Sequence, residues 1–152
     1  MPAVVAVLDD SPVARSARSE LVRGVTGMLR RTLREESAVP RENAIVIGTV
    51  TRLGSLIPAV RLAPDAFWLR SVDHGSLHFT VIAAVNDRGQ LYGAFALLRK
   101  IELGESLANL DRRETPYAPV RWANHRDRLN GTIERGYGGI PSSGRTITCA
   151  KI

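Results

Sequence analysis

Cysteine, lysine and aromatic residues are all scarce in this 152-residue chain, with one cysteine (Cys149), two lysines (Lys100 and Lys151) and 5% aromatics. A lone thiol cannot close an internal disulfide, so the fold must rest on a buried core, and a reducing compartment is consistent with that. Because lysine is so rare, the formal charge of +6 is almost wholly arginine. No apolar run approaches the roughly 20 residues that a membrane-spanning helix needs, so no membrane partner is expected. The opening Met1-Pro2-Ala3-Val4-Val5-Ala6-Val7-Leu8 has neither the basic stretch nor the long apolar stretch of a secretory signal, and a cytoplasmic location is expected. The three histidines, His74, His78 and His125, lack metal-ligand spacing, so no metal site is expected. Gly89 and Gly93 form neither a phosphate loop nor a dinucleotide fingerprint, so no cofactor is expected.

What is present is the composition of an ordinary globular protein. The chain is 44% hydrophobic and 24% charged, with a mean hydropathy of -0.06. That is enough to bury one sizeable core. A pI near 10.4 raises nucleic acid as a partner. The distribution argues against it, because the arginines run from Arg15 to Arg145 and mostly sit beside acids, as in Arg34-Glu35-Glu36 and Arg126-Asp127-Arg128. A nucleic-acid surface would instead concentrate them in a stripe with interleaved aromatics.

Ala3 to Leu8 is a short valine-rich run, the mark of a buried strand. Ser11 and Pro12 then supply an N-cap and a first helical residue. Ala14, Ala17, Leu21, Val25, Met28 and Leu29 follow at spacings of three and four, so the helix is amphipathic and Met28 is expected in the core. The acids and Pro40 between Arg34 and Asn43 predict a solvated loop. Ala44 to Thr49 is a continuous β-branched run of the kind found in helix-covered sheets. From Thr51 to Ala63 a short helix is possible but is weakened by Gly54 and Pro58.

Two further β-rich runs, Ala66 to Val72 and Leu77 to Val85, flank Asp73-His74-Gly75-Ser76 and predict a hairpin. In the first run Phe67, Leu69 and Ser71 should face one side, and Trp68, Arg70 and Val72 the other. A second helix should start at Asn86 or Asp87 and stop at Gly104, with Leu91, Ala94, Phe95, Leu98 and Ile101 as its apolar stripe. Gly93 in that helix predicts a close approach to the sheet. These elements together predict an α/β fold, a sheet packed by helices. From Ala108 to Pro119 the chain turns polar and proline-punctuated, as a linker would, before the short strand pattern of Val120 to His125.

Asn124-His125-Arg126-Asp127-Arg128-Leu129-Asn130-Gly131-Thr132-Ile133-Glu134-Arg135-Gly136-Tyr137-Gly138-Gly139 carries the most specific information in the chain. It resembles the domain-junction signature of the α-glucuronidases of glycoside hydrolase family 67, in which Asn-His-Trp-Asp-Asn leads into Leu-Asp-Gly-Ser/Thr-Ile-Glu-Arg-Gly-Tyr-Ala-Gly. Upstream, the stretch from Arg88 through Gly89, Leu91, Tyr92, Gly93 and Phe95 to Leu98 is similar to that family's Arg-Gly-Val-Leu-Tyr-Gly-Val-Phe-His-Leu-Leu. Glu20 to Leu29 carries a weaker likeness. The sequence departs from the pattern at Arg126, where the family has tryptophan, and at Asn130, where it has aspartate. Arginine can pair with a glucuronate carboxylate, but it offers no flat apolar platform for a sugar ring.

The resemblance implies an N-terminal accessory domain similar to that of hexosaminidases, followed by a (β/α)8 barrel that holds the active site. Such a barrel needs about 250 residues, so only its first strand is expected here. The implied boundaries are 1–110 for the α/β domain, 111–139 for the linker and the start of a truncated barrel, and 140–152 for a disordered tail. The polar, patternless stretch after Gly139 is expected to mark a truncation or an altered reading frame. The implied activity is removal of glucuronic or 4-O-methylglucuronic acid from xylan-derived oligosaccharides by an inverting pair of carboxyl groups about 6.5–9.5 Å apart. That pair belongs to later barrel strands, so no catalytic residue is expected in this chain. Arg126, Asp127 and Arg135 are the implied substrate contacts, and the missing catalytic barrel is the implied partner. A free-standing carbohydrate-binding or interaction module is the competing expectation.

Overall fold

A computed structural model describes residues 1–118. Its elements are β1 (Val4–Val7), α1 (Pro12–Leu29), β2 (Arg34–Glu36), β3 (Ala44–Thr49), α2 (Val50–Leu53), β4 (Phe67–His74), β5 (Leu77–Ala84), α3 (Asp87–Glu102) and β6 (Asp111–Glu114), with a 3-10 turn at Gly54–Leu56. The strands form one mixed sheet in the order β2-β1-β3-β5-β4-β6. β2, β1, β3 and β5 are parallel, whereas β4 runs antiparallel to both β5 and β6.

Alternation along the strands separates two apolar faces. Val5, Val7, Ile45, Ile47, Phe67, Leu69 and Ile82 lie in a core with Ala14, Ala17, Leu21 and Val25 of α1 and Ala94 and Leu97 of α3. Val4, Val46, Trp68, Phe79 and Val81 face the other way, under Leu53, Leu56 and Ile57. Both long helices therefore lie on one face, and the short α2 segment closes the opposite one. The expected division of Phe67 and Leu69 from Trp68 and Val72 is present.

The caps behave as their chemistry requires. Ser11 accepts from the Ala14 amide at 3.0 Å and Asn86 from the Gly89 amide at 3.0 Å, each filling an orphan donor of a first helical turn. The hairpin is tighter than expected, because β4 continues through His74 and leaves only Gly75 and Ser76 as the turn, with Gly75 at φ +64.

Four local expectations are corrected. The solvated loop at 34–43 begins with the strand β2, and the expected linker contains the strand β6. Both are edge strands made wholly of charged residues, Arg34-Glu35-Glu36 and Asp111-Arg112-Arg113-Glu114, so no hydrophobic alternation announces them. Met28 is 38% exposed, since Leu33, beyond the helix, supplies the next buried side chain of that core. Phe95 is 48% exposed because α3 rests on the sheet through Gly89, Gly93 and Leu97, which rotates the larger residues outward. A β-carbon on Gly89 would sit 2.5 Å from the Ala66 carbonyl oxygen, and one on Gly93 would collide with Ile82. The close approach expected at Gly93 is thus present, and Gly89 shares it.

Candidate functional site

The substrate contacts expected at Arg126, Asp127 and Arg135 lie outside the described residues, as do His125, the strand pattern of 120–125 and the expected tail. Within the described residues, the polar side chains that could do chemistry gather where the parallel strands end. α1 and α3 both begin at such ends, after β1 and β5.

Asp9, just past β1, is the centre of this cluster. Its Oδ2 accepts from the Thr49 amide at 2.6 Å and from Gln90 Nε2 at 2.8 Å, while its Oδ1 accepts from Thr49 Oγ1 at 3.1 Å. Arg52 Nε stands 3.9 Å away. The carboxylate therefore ties β1, β3, α2 and α3 together, and Gln90 reaches it from a fully buried position. Among the described residues Gln90 Oε1 has no hydrogen-bond partner. A second acid, Asp65, is buried in a left-handed backbone conformation at φ +61. It accepts from Asn86 Nδ2 at 2.8 Å and pairs with Arg88 Nε at 3.2 Å. Asn86 thus holds the α3 terminus with one end of its amide and Asp65 with the other.

Chemically, these two acids are committed to the fold. Asp9 has both oxygens occupied by donors from Thr49 and Gln90, whereas Asp65 takes both Asn86 Nδ2 and Arg88 Nε on its Oδ1, so the first binds β1 to β3 and α3 and the second holds the start of α3. Sequence reasoning singled out neither, because Asp9 and Gln90 are 81 positions apart and only the crossovers bring them together.

On the opposite face, Trp68 is enclosed between two guanidiniums, Arg70 at 4.6 Å and Arg113 at 4.4 Å from its ring centroid. Its Nε1 donates to Asp111 Oδ1 at 2.6 Å. The arginines and the acid follow from the register, in which Trp68 faces Arg113 and Arg70 faces Asp111. This arrangement seals a large aromatic at the sheet edge. At the other end of the hairpin, His78 Nδ1 and Asp73 Oδ1 are 2.7 Å apart, with Asp73 exposed and His78 half-buried. Past α3, Lys100 pairs with Glu105 and holds its carboxyl below the usual range.

The outward side of the helix pair is different in character. Gly24 brings α1 against α3, where an added β-carbon would come within 2.5 Å of Leu98 Cδ2. Over the later turns of both helices runs an open groove of about 780 Å³, with Met28, Phe95, Leu98 and Leu103 along it and Glu20, Arg23, Arg99 and Glu102 around it. Among the described residues no group of three or more His, Cys, Asp or Glu side chains could hold a metal ion, and no helix is long and apolar enough to cross a membrane.

Comparison with known proteins identifies the same relationship along most of the chain. The model described as "Glycosyl hydrolase family 67 N-terminus" matches residues 1–97, and "Glycosyl hydrolase family 67 middle domain" matches residues 100–147. The second match runs past Gly139. An alpha-glucuronidase of Hypocrea jecorina is 38% identical over 144 residues, covering 86% of this chain and 16% of that protein. A probable alpha-glucuronidase A of Aspergillus terreus is 36% identical over 136 residues, covering 82% and 15% respectively. The chain thus spans about one sixth of the length of these relatives. Among solved structures, a glycoside hydrolase family 138 enzyme targeting pectin rhamnogalacturonan II aligns with a TM-score of 0.52 at 12% identity, over 74% of this chain and 12% of that one. At that identity the likeness concerns the fold alone.

Proposed function

The chain belongs to glycosyl hydrolase family 67, and from that premise we propose that it is the non-catalytic N-terminal region of an α-glucuronidase. The complete enzyme would remove glucuronic or 4-O-methylglucuronic acid from xylan-derived oligosaccharides. The observation that carries this reading is the commitment of Asp9 and Asp65. Among the described residues these two buried acids at the strand ends serve to hold helices to strands, and they do not stand as an opposed pair set to protonate a leaving oxygen and activate a water.

In this reading the catalytic carboxyl groups lie in a (β/α)8 barrel outside the chain's 152 residues, and the barrel is its partner. Arg126, Asp127 and Arg135 would contribute to the sugar pocket at the start of that barrel, with an arginine in position to pair with the uronate carboxylate. Residues 1–110 would be the accessory domain and 111–139 the connection into the barrel. The relatives named above support the activity, and their much greater length supports a division of labour within the polypeptide.

Purified protein incubated with aldouronic acids should release no glucuronate above a no-protein control. Sustained turnover by the 152-residue chain would defeat the non-catalytic assignment.

A further inference from the structure

We propose that the Arg70, Arg113 and Asp111 side chains around Trp68 form a binding site for a sugar acid, in which guanidinium takes the carboxylate and Asp111 takes a neighbouring hydroxyl. The proposal rests on the reading above for the class of ligand, an oligosaccharide that carries a uronic acid. The location comes from the ion pairs and the strand register.

Several arginines on the strands and helices are neutralised by acids of the chain itself. Arg18 pairs with Glu35, Arg23 with Glu20, Arg34 with Glu36 and Glu42, and Arg112 with Glu114. The two at Trp68 are not. Arg70 Nη1 stands 3.9 Å from Asp111 Oδ2, beyond hydrogen-bond reach, and the exposed Arg113 has no acid bound to it among the described residues. Both guanidiniums are nevertheless held in place, 4.6 and 4.4 Å from the ring centroid of a tryptophan that is itself buried. A guanidinium that covers a ring uses its face, so its N–H edge is left for a further partner. Because the ring already restrains both side chains, a ligand on those edges costs less rotamer freedom than one bound by loose surface arginines.

The class of ligand follows from what stands beside the arginines. Asp111 Oδ1 accepts from Trp68 Nε1 at 2.6 Å, which fixes the carboxylate and leaves Oδ2 as an acceptor on an exposed side chain. An acidic protein side chain would meet the charge of Asp111 without using that acceptor. A uronic acid uses both groups, since its carboxylate takes a guanidinium edge while a ring hydroxyl donates to Asp111. Trp68 is 1% exposed and offers no platform for a sugar ring, so the site selects the acid and passes over neutral xylan. The register holds the groups together on one face of two paired strands, with Trp68 opposite Arg113 and Arg70 opposite Asp111.

The isotope-labelled 152-residue chain is titrated with an aldouronic acid, and the Trp68 indole N–H signal, assigned with a Trp122→Phe variant, is followed by NMR. The neutral xylo-oligosaccharide of the same length and a short glutamate peptide are the comparison ligands. Arg113→Gln is the site variant. Arg41→Gln, at an exposed arginine in the loop before β3, matches its change in charge, and circular dichroism melting checks that both are folded. Wild type and Arg41→Gln should bind the acid within about twofold of each other, and Arg113→Gln at least about tenfold more weakly, as expected for the loss of a charge-assisted, two-bond contact. Arg113→Lys keeps the charge over the ring but loses the fork, and should fall between them. The neutral oligosaccharide should bind at least about tenfold more weakly to wild type, a comparison that needs no variant. Equal binding of the neutral oligosaccharide or of the glutamate peptide would overturn the proposal, as would unchanged binding by folded Arg113→Gln or no binding by wild type. The same spectra show free glucuronate if the chain hydrolyses its ligand. Turnover would therefore defeat the non-catalytic reading and leave the site to the variants, whereas a silent titration without turnover would remove the site and leave that reading standing.

Discussion

At Asp9 one side chain receives the Thr49 amide, the Thr49 hydroxyl and the Gln90 amide, and the two residues on the other side of these bonds come from β3 and α3. Asp9→Ala would leave three donors facing an apolar side chain, at a cost of about 2–4 kcal/mol in chemical denaturation, within the range for breaking a buried hydrogen-bond network. Gln90→Leu is expected to behave differently. It removes the donor to Asp9 and also the partnerless Oε1, while Asp9 keeps Thr49, so the change should stay within about 1 kcal/mol of wild type. A large loss at Gln90 and none at Asp9 would show that the network is held from α3 and not from β1. Residues that act through neighbours in sequence, such as Ser11 and Asn86, are legible from the chain alone because a cap needs only three residues of context. Asp9 stands beside Asp10, an exposed acid that pairs with Arg15, and nothing local distinguishes the two.

The helix α3 shows how an apolar pattern can locate an element and still misplace its face. The 3.6-residue period and the Asn86 cap establish its existence and its start, yet the row that touches the sheet is Gly89, Gly93 and Leu97. Hydrophobic counting gives glycine no weight, and so it turned Phe95 inward. Gly89→Ala should therefore destabilise the protein by about 1–3 kcal/mol, the usual cost of overpacking, since the new methyl would meet the Ala66 carbonyl and Ala84. Gly24→Ala should cost less, and urea titration of the two variants side by side checks the order, because its methyl meets only the end of the Leu98 side chain, which can turn aside. The strands divide in the same way. β1, β3, β4 and β5 are apolar because helices or α2 cover them, and they are visible in the sequence. β2 and β6 exist through backbone pairing to an inner strand, and their charged side chains serve to refuse further strands. Arg112→Ile combined with Glu114→Val should leave β6 in place and make the protein associate with itself, with light scattering rising with concentration where wild type stays flat. These two residues alternate with Arg113 and Asp111, so the clamp on Trp68 survives the change.

For the molecule as a whole, the sheet extends past residue 110 into the polar run expected as a linker. The polar run from residue 111 has the look of a linker, yet its first four residues pair with Phe67 to Arg70 and supply both Arg113 and Asp111 to Trp68. The compact unit accordingly runs from Met1 to Tyr117. A chain ending at 118 should unfold in one cooperative transition, because every strand and helix that closes the two apolar faces is inside it. A chain ending at 110 would lose β6, expose the edge of β4 and open the cover over Trp68, which is 1% exposed when β6 is present. Burying a large aromatic is worth about 2–3 kcal/mol, and the lost ladder hydrogen bonds add to that, so the shorter form should melt lower by about 10 °C or more for a domain of this size. Tryptophan fluorescence gives the structural readout, because Trp68 is the single tryptophan in either form and its emission should shift to the red only when β6 is removed. If the 110-residue form melts at the same temperature with unshifted emission, β6 is dispensable and the earlier boundary is the physical one. If it is destabilised as expected, β6 is an integral part of the compact unit, whose sheet is complete only at Glu114.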